Sequence, residues 1–337
     1  IKLLNKEFVN TSEAETYFLE RNCKSLLQFK MSVRALNDSY FVEREIRSLA
    51  DDEDSNISKL IYRNASEYGS GHICSCSWDS QSKDQIAKLN TEWFPKYEVA
   101  PVDAKGSSII SKTIYDETGN SNISAEDLAF KKQREVMKIL NSLVDGYENW
   151  LNVEKLKLST LEKDFLRNQA RQNISKCEEA ILRMKKGINY LSNSKEGFEA
   201  FQLANNAMLK QFRWSKKIEE KKQNKSLDKE NFDLNWRPFQ IGFALLTIEG
   251  IGDQNSVDRE LLDLLWFPTG GGKTEAYLLL IAFQIFLTRI TKGSEADFHH
   301  TEVIMRYTLR ALTLQQFQRA AAVICACNEL REEKIES

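Results

Sequence analysis

The stretch FPTGGGKT, Phe267 to Thr274, sets three glycines before a lysine and a threonine. Glycine accepts backbone angles closed to other residues and leaves its neighbours' amides uncovered. An apolar run, LLDLLWF, precedes the glycines, and another, AYLLLIAFQIFL, follows them. A strand that ends in a bare loop and opens a helix presents unpaired amides and the positive end of a helix dipole. Such a place suits the phosphates of a nucleoside triphosphate. Thr269, Gly270, Gly271 and Gly272 would form the cradle, Lys273 would add a point charge, and Thr274 would offer a hydroxyl to Mg²⁺. The strict pattern has a further glycine where this chain has Phe267. The plainer reading is a glycine turn between a strand and a helix.

Two flanking segments carry compatible chemistry. Upstream is WRPFQ, Trp236 to Gln240. A glutamine amide can donate to and accept from adenine together, through N6 and N7, and Trp236 could stack on the base. The alternative is a helix start with Pro238 at an early position. Downstream, MRYTLRALTLQQFQR sets Arg306, Arg310 and Arg319 with Thr308 and Thr313 around a loop and a helix start. That placing suits contacts to a DNA backbone, or else a solvated basic loop. A second basic stretch, LKQFRWSKKIEEKKQNK, interleaves Phe212 and Trp214 with Lys216, Lys217 and further cations. It could grip single-stranded DNA by charge and stacking, or it could be a solvated linker.

Other groups offer less. His72, Cys74 and Cys76 have ligand chemistry for zinc, but C-x-C is shorter than the usual spacing and has no second pair nearby. Alternate residues on one strand explain it more simply. Cys325 and Cys327 diverge on a helix. His299 and His300 are read as exposed loop residues. The acidic run DDED at 51–54 reads as a solvated turn.

These residues must be positioned by the elements around them. Residues 1–123 read as a mixed α+β domain, with helical spacing in YFLERNCKSLLQFKM, a short strand in GHICSCSWD and an extended segment in TEWFPKYEVAP. A loop, YDETGNSN, follows. From Ser124 the pattern is helical, with a capping-box-like start at Ser124 and Asp127. Ala170, Ile174, Cys177, Ile181, Met184, Ile188 and Leu191 step as a heptad seam. The expectation is an antiparallel hairpin folded near Leu158–Thr160, then a third helix over GFEAFQLANNAMLKQFRW and a mobile charged linker to residue 230. Residues 231–337 alternate strand and helix, with TEVIMRY as the second strand. That alternation is the opening of a parallel sheet. The fold class expected is therefore α/β with a large helical region.

Taken together, WRPFQ, FPTGGGKT and YTLRALTLQQ resemble the Q motif, motif I and motif Ia of the first RecA-like lobe of superfamily 2 helicases. LLWFPTGGGKTEAYL and VIMRYTLRALTLQQFQRAAAVICA look like the helicase subunit of DISARM, a bacterial anti-phage system. GHICSCSW, TEWFPKYEV and AFQLANNAMLKQ are similar to its N-terminal region. The resemblance implies an ATP-dependent DNA helicase or translocase with ATP and Mg²⁺ as cofactors. Its implied partners are a second large subunit, a DNA methyltransferase and DNA, either single-stranded or with a single-stranded end. By position, Gln240 would read adenine, Gly270–Gly272 and Lys273 would hold phosphate, Thr274 would hold Mg²⁺, and Arg310 would touch DNA. The family's acidic motif II, which holds Mg²⁺ from its other side, does not appear in the sequence. The chain, which opens on Ile1, is expected to be an N-terminal portion of a larger protein and inactive alone.

Composition bounds these readings. The net charge of −2 gives no global attraction to nucleic acid, so DNA binding must use a local patch. The apolar run around Tyr277–Leu287 is too short to span a bilayer. Six scattered cysteines in a chain of this length fit free thiols in a reducing cytoplasm. A rival function class stays open at this stage: a regulatory module that docks DNA or a partner and carries a vestigial nucleotide site.

Overall fold

A computed structural model of the chain describes residues 30–37, 39–44, 53–70, 74–78, 85–94, 108–114, 123–223, 232–267, 270–292, 301–306 and 311–335. The chain divides into two compact units, Ile1–Ala100 and Pro101–Ser337. The helical spacing read in YFLERNCKSLLQFKM falls almost wholly outside the described residues, as does the loop YDETGNSN.

The first unit holds a three-stranded antiparallel sheet in the order β1–β3–β2, with β1 at Ser32–Arg34, β2 at Ser75–Trp78 and β3 at Lys88–Glu92. β3 is central: Val33 and Trp78 both stand opposite Leu89. Helix α1, Glu53–Ile61, lies between β1 and β2 in the chain. The strand expected in GHICSCSWD is therefore present as β2. Cys74 and Cys76 are half-buried there, and burial, then Cys74 and Glu67, pushes the Cys76 thiol up. Among the described residues no group of three metal-binding side chains occurs, and His72 lies outside them.

The second unit is helical. A short helix α2, Ser108–Ile114, packs on the hairpin, where Thr113 lies against Gly146. Ser124 accepts the Asp127 amide at 2.9 Å and opens α3, Ala125–Phe130, as a side-chain cap should. Extended backbone at Lys131 and Lys132 then separates α3 from α4, Gln133–Leu156, a break that the apolar spacing does not announce. The turn Lys157–Thr160 folds the chain back into α5, Asp164–Asn193, as the sequence leads one to expect. The seam residues Ile181, Met184, Ile188 and Leu191 are buried. Ser194 ends α5 and caps α6, Lys195–Lys222, by accepting the Gly197 amide. Here the expected linker is corrected: Ser215–Lys222 continue α6 as helix, because nothing between them breaks the 3.6-residue period.

The remaining helices are α7, Pro238–Gly252, α8, Lys273–Lys292, and α9, Ala311–Ile335. Leu245 and Ile248 of α7, Leu279 and Phe283 of α8, and Val323 and Leu330 of α9 join the core built by α4–α6. α8 is long and apolar enough to cross a membrane, although its apolar run alone is not. Its face Leu278–Leu279–Ala282–Phe283 is buried in the protein, the behaviour of a core helix. The parallel sheet expected from 261–267 and 301–307 is not formed among the described residues. Leu262, Leu264 and Trp266, read as a buried strand, are 97%, 85% and 80% exposed. A strand is completed by ladder hydrogen bonds to a neighbour, and residues 261–267 and 301–306 form no ladder with a described strand. A RecA-like lobe is thus not shown by the fold.

Candidate functional site

α7 is delivered to the site by the helical region. Asn235 bridges to Ser124, with the Trp236 amide donating to Ile123 and the Ala125 amide to Leu234. The Trp236 indole is 1% exposed, and its Nε1 donates to Asn205 of α6 at 2.9 Å. An indole so enclosed anchors α7 in the core and offers no face to a base, which corrects the stacking role expected of it.

At Arg237 and Gln240, one and four residues further on, the geometry turns toward the glycine loop. Gln240 accepts the Arg237 amide at 2.8 Å and donates through Nε2 to the Gly272 carbonyl at 2.8 Å. Arg237 donates from its guanidinium to the Gly271 carbonyl. Both ends of the Gln240 amide are therefore used within the protein, and the side chain is buried. In this conformation it holds the loop. Reading adenine would require it to exchange one of those bonds.

Gly270 and Gly272 have φ of +81° and +90°, a region that penalises any side chain. A Cβ on Gly272 would also stand 2.7 Å from Gln240 Nε2, so a side chain there would displace the Gln240 amide from its place on the loop. The loop opens α8, a twenty-residue helix whose first residue is Lys273. Lys273 Nζ donates to the Phe267 carbonyl, closing the loop on itself. Phe267 has a physical role in place of the missing glycine. Its ring stacks on Phe239 of α7, centroids 4.2 Å apart and nearly parallel at 13°. Such a pair adds about 1 kcal/mol beyond area burial. Thr274 is half-buried in the first turn of α8; Pro268 and Thr269 lie outside the described residues.

Beyond the glycines, Glu275 pairs with Arg319 of α9. Arg319, weighed in the sequence as a DNA contact, is thereby committed to the protein. The second Glu275 oxygen is buried and has no hydrogen-bond partner. On the other side, Arg183 of α5 reaches Asp263 in the run-up to the loop, through two bonds of 2.6 and 2.8 Å. Its Nε donates to Asp258 at 3.0 Å. Neither pair is signalled by spacing, since 44 and 80 positions separate the partners. Arg237 and Phe239 sit inside the quoted WRPFQ without having been assigned a part.

The DNA-contact candidates are not gathered in one place. Arg306 is exposed beside a cleft that Tyr277, Ile281, Val303 and Arg183 also line. Arg310 and Thr308 lie outside the described residues, and of Thr313 only the place in the first turn of α9 is described. Lys216 pairs with Glu219 at 2.9 Å, and its ammonium stands 5.8 Å from the centre of the Phe212 ring. Lys217 is exposed. Of the residues around them, Lys210 is bound to Glu329 and Glu333 of α9, Arg213 to Glu126 and the Phe232 carbonyl, and Trp214 packs against the core.

No protein-family model matches the chain. Against individual proteins, the chain is 32% identical over 302 residues to the DISARM protein DrmA of Bacillus paralicheniformis, a match covering 87% of this chain and 26% of that protein. The chain thus spans about a quarter of the length of this relative. An alignment of 302 residues extends far beyond the glycine loop, so the likeness does not rest on that motif. It supports placing the chain with the DISARM-type defence proteins.

Proposed function

We propose that this chain is the nucleotide-binding N-terminal portion of an ATP-dependent DNA helicase or translocase acting in bacterial anti-phage defence. The observation that carries the reading is the convergence of two elements on one loop. Arg237 and Gln240 take the Gly271 and Gly272 carbonyls. The loop amides are thereby turned away from those side chains, at the head of a long helix. The donor set fits a polyphosphate: bare glycine amides, the positive end of α8 and the Lys273 ammonium. Lys273 would leave the Phe267 carbonyl for phosphate oxygens, and Thr274 would face Mg²⁺. ATP, when bound with Mg²⁺, supplies the phosphoryl group that water accepts; the residues described here bind and orient it.

Arg306, Arg310 and Thr313, with Lys216 and Lys217, are the DNA contacts of this reading. A second large subunit and a DNA methyltransferase are its partners, and the cytoplasm is its place. The relative's length and its name support the setting in a larger defence protein.

The test uses the complete natural protein. Lys273→Ala removes a charge without core volume, so the circular dichroism spectrum should stay unchanged. ATP binding by calorimetry and phosphate release should both be lost. Hydrolysis near the unaltered level in that variant would remove the phosphate-loop assignment. An unaltered protein that binds DNA or a partner but no nucleotide would instead favour the docking-module reading.

A further inference from the structure

One turn of α5 touches both elements that meet at the glycine loop. At Arg183 it faces the segment leading into the loop: the guanidinium grips Asp263 with two bonds and Asp258 with a third. The side chains of Arg183 and Asp258 are 11% and 7% exposed, so this is a desolvated cluster and no ordinary surface pair. Lys186, one turn on, adds a contact of 3.3 Å to Asp258. At Gly187 the same turn faces α7. A Cβ on Gly187 would fall 2.0 Å from the Leu245 carbonyl oxygen, which makes this a backbone-to-backbone approach.

α7 brings Arg237 and Gln240 to the loop carbonyls. The segment after Asp263 brings Phe267, whose carbonyl receives Lys273 and whose ring stacks on Phe239. That segment has no ladder partner among the described residues, and its apolar side chains at Leu262, Leu264 and Trp266 are exposed. Its course is held at two points, by the forked ion pair at Asp263 and by the stack of Phe267 on Phe239. Two parallel N–H···O bonds fix direction as well as distance.

We infer that Arg183 is a positioning residue of the nucleotide site: through Asp263 it sets where the segment enters the phosphate loop, while its own helix holds α7 on the other side. The inference rests on the nucleotide reading above and adds to it that the helical hairpin determines the loop's geometry. A partner that shifts α5 would then change nucleotide affinity without entering the site.

The test compares two neighbouring carboxylates in the complete protein. Asp263→Asn and Asp258→Asn each remove an anionic partner from the same guanidinium, but only the first releases the loop segment. Amide hydrogen exchange over residues 261–272 is measured without nucleotide, and the dissociation constant for a non-hydrolysable ATP analogue is measured separately. Asp263→Asn should speed exchange there and weaken the analogue, each about tenfold, whereas Asp258→Asn should leave both within about twofold. Arg183→Lys keeps the charge and loses the fork, and should move both readouts in the direction of Asp263→Asn if that variant does not fold. Equal behaviour of the two Asn variants, or unchanged exchange in Asp263→Asn, would overturn the inference. Analogue binding that survives Lys273→Ala would break the nucleotide reading and the inference with it. Loss in Lys273→Ala beside two indistinguishable Asn variants would break the inference alone.

Discussion

The two elements that meet at the glycine loop are held by different physics. α7 arrives out of a core: Trp236 is sealed between α7 and α6, and Ile241, Ala244, Leu245 and Ile248 are buried along its length. Residues 261–267 arrive with Leu262, Leu264 and Trp266 in water, steered by the forked ion pair at Asp263 and by the stack of Phe267 on Phe239. A helix closes its own hydrogen bonds and needs only a face to bury. An extended segment must borrow its hydrogen bonds from a neighbour. The first arm is therefore held by burial, whereas the second has no ladder partner among the described residues.

The sharpest way to break this comparison is at Gly187. An alanine there would drive its methyl group into the Leu245 carbonyl, forcing α5 and α7 apart. Overpacking of that kind costs about 3 kcal/mol, so Gly187→Ala should lower the thermal midpoint by several degrees, more than any substitution in 261–267. A midpoint equal to that of the unaltered chain would mean that the close approach is not what holds the arm.

A middling effect is expected on acidification. Burial alone would raise the Asp258 carboxyl, but the hydrogen bonds from Arg183 and Lys186 outweigh it and hold the group below the usual carboxylate range. A depressed folded pKa contributes stability that is full above the unfolded value of about 4 and is lost as pH falls through the folded one. Urea midpoints compared at pH 6 and pH 3 should therefore fall more for the unaltered chain than for Asp258→Asn. Parallel falls would show that the cluster is not linked to folding.

The smallest effect should come from the exposed arm. Leu262, Leu264 and Trp266 changed together to serine should shift the stability of this chain by less than about 1 kcal/mol, since no packed neighbour is lost. The same triple change should lower the binding of a hydrophobic dye to the protein. A large loss of stability would show that those side chains are buried in solution.

The same contrast explains what the sequence could show. The seam from Ala170 to Leu191, the cap at Ser124 and the turn at Leu158–Thr160 were legible because helices write their burial locally, every three or four residues. LLDLLWF reads as strand by composition, yet composition cannot name the partner that would make it one. At the candidate site, the glycine turn that opens a helix at Lys273 is legible from the spacing. The grip of Arg237 and Gln240 on the loop was not, because WRPFQ carries the same residues whether they face a base or a carbonyl. Trp236 was misassigned for a related reason: an aromatic beside a functional residue looks alike as a stacking face and as a core anchor. Arg183 and Asp263 lie too far apart in sequence for any local pattern to join them.

The pairing of Glu275 with Arg319 has a consequence for how this protein can change over generations. The two residues are half-buried and stand on different helices, and loss of either leaves the other as a lone charge in a desolvated place. Neither position is free to drift alone. Descendant sequences should keep both, exchange the two charges together, or replace both with apolar residues of matching volume. The helix that opens at the glycines and the helix that carries Arg319 would then record one shared history, although 44 residues separate the two positions.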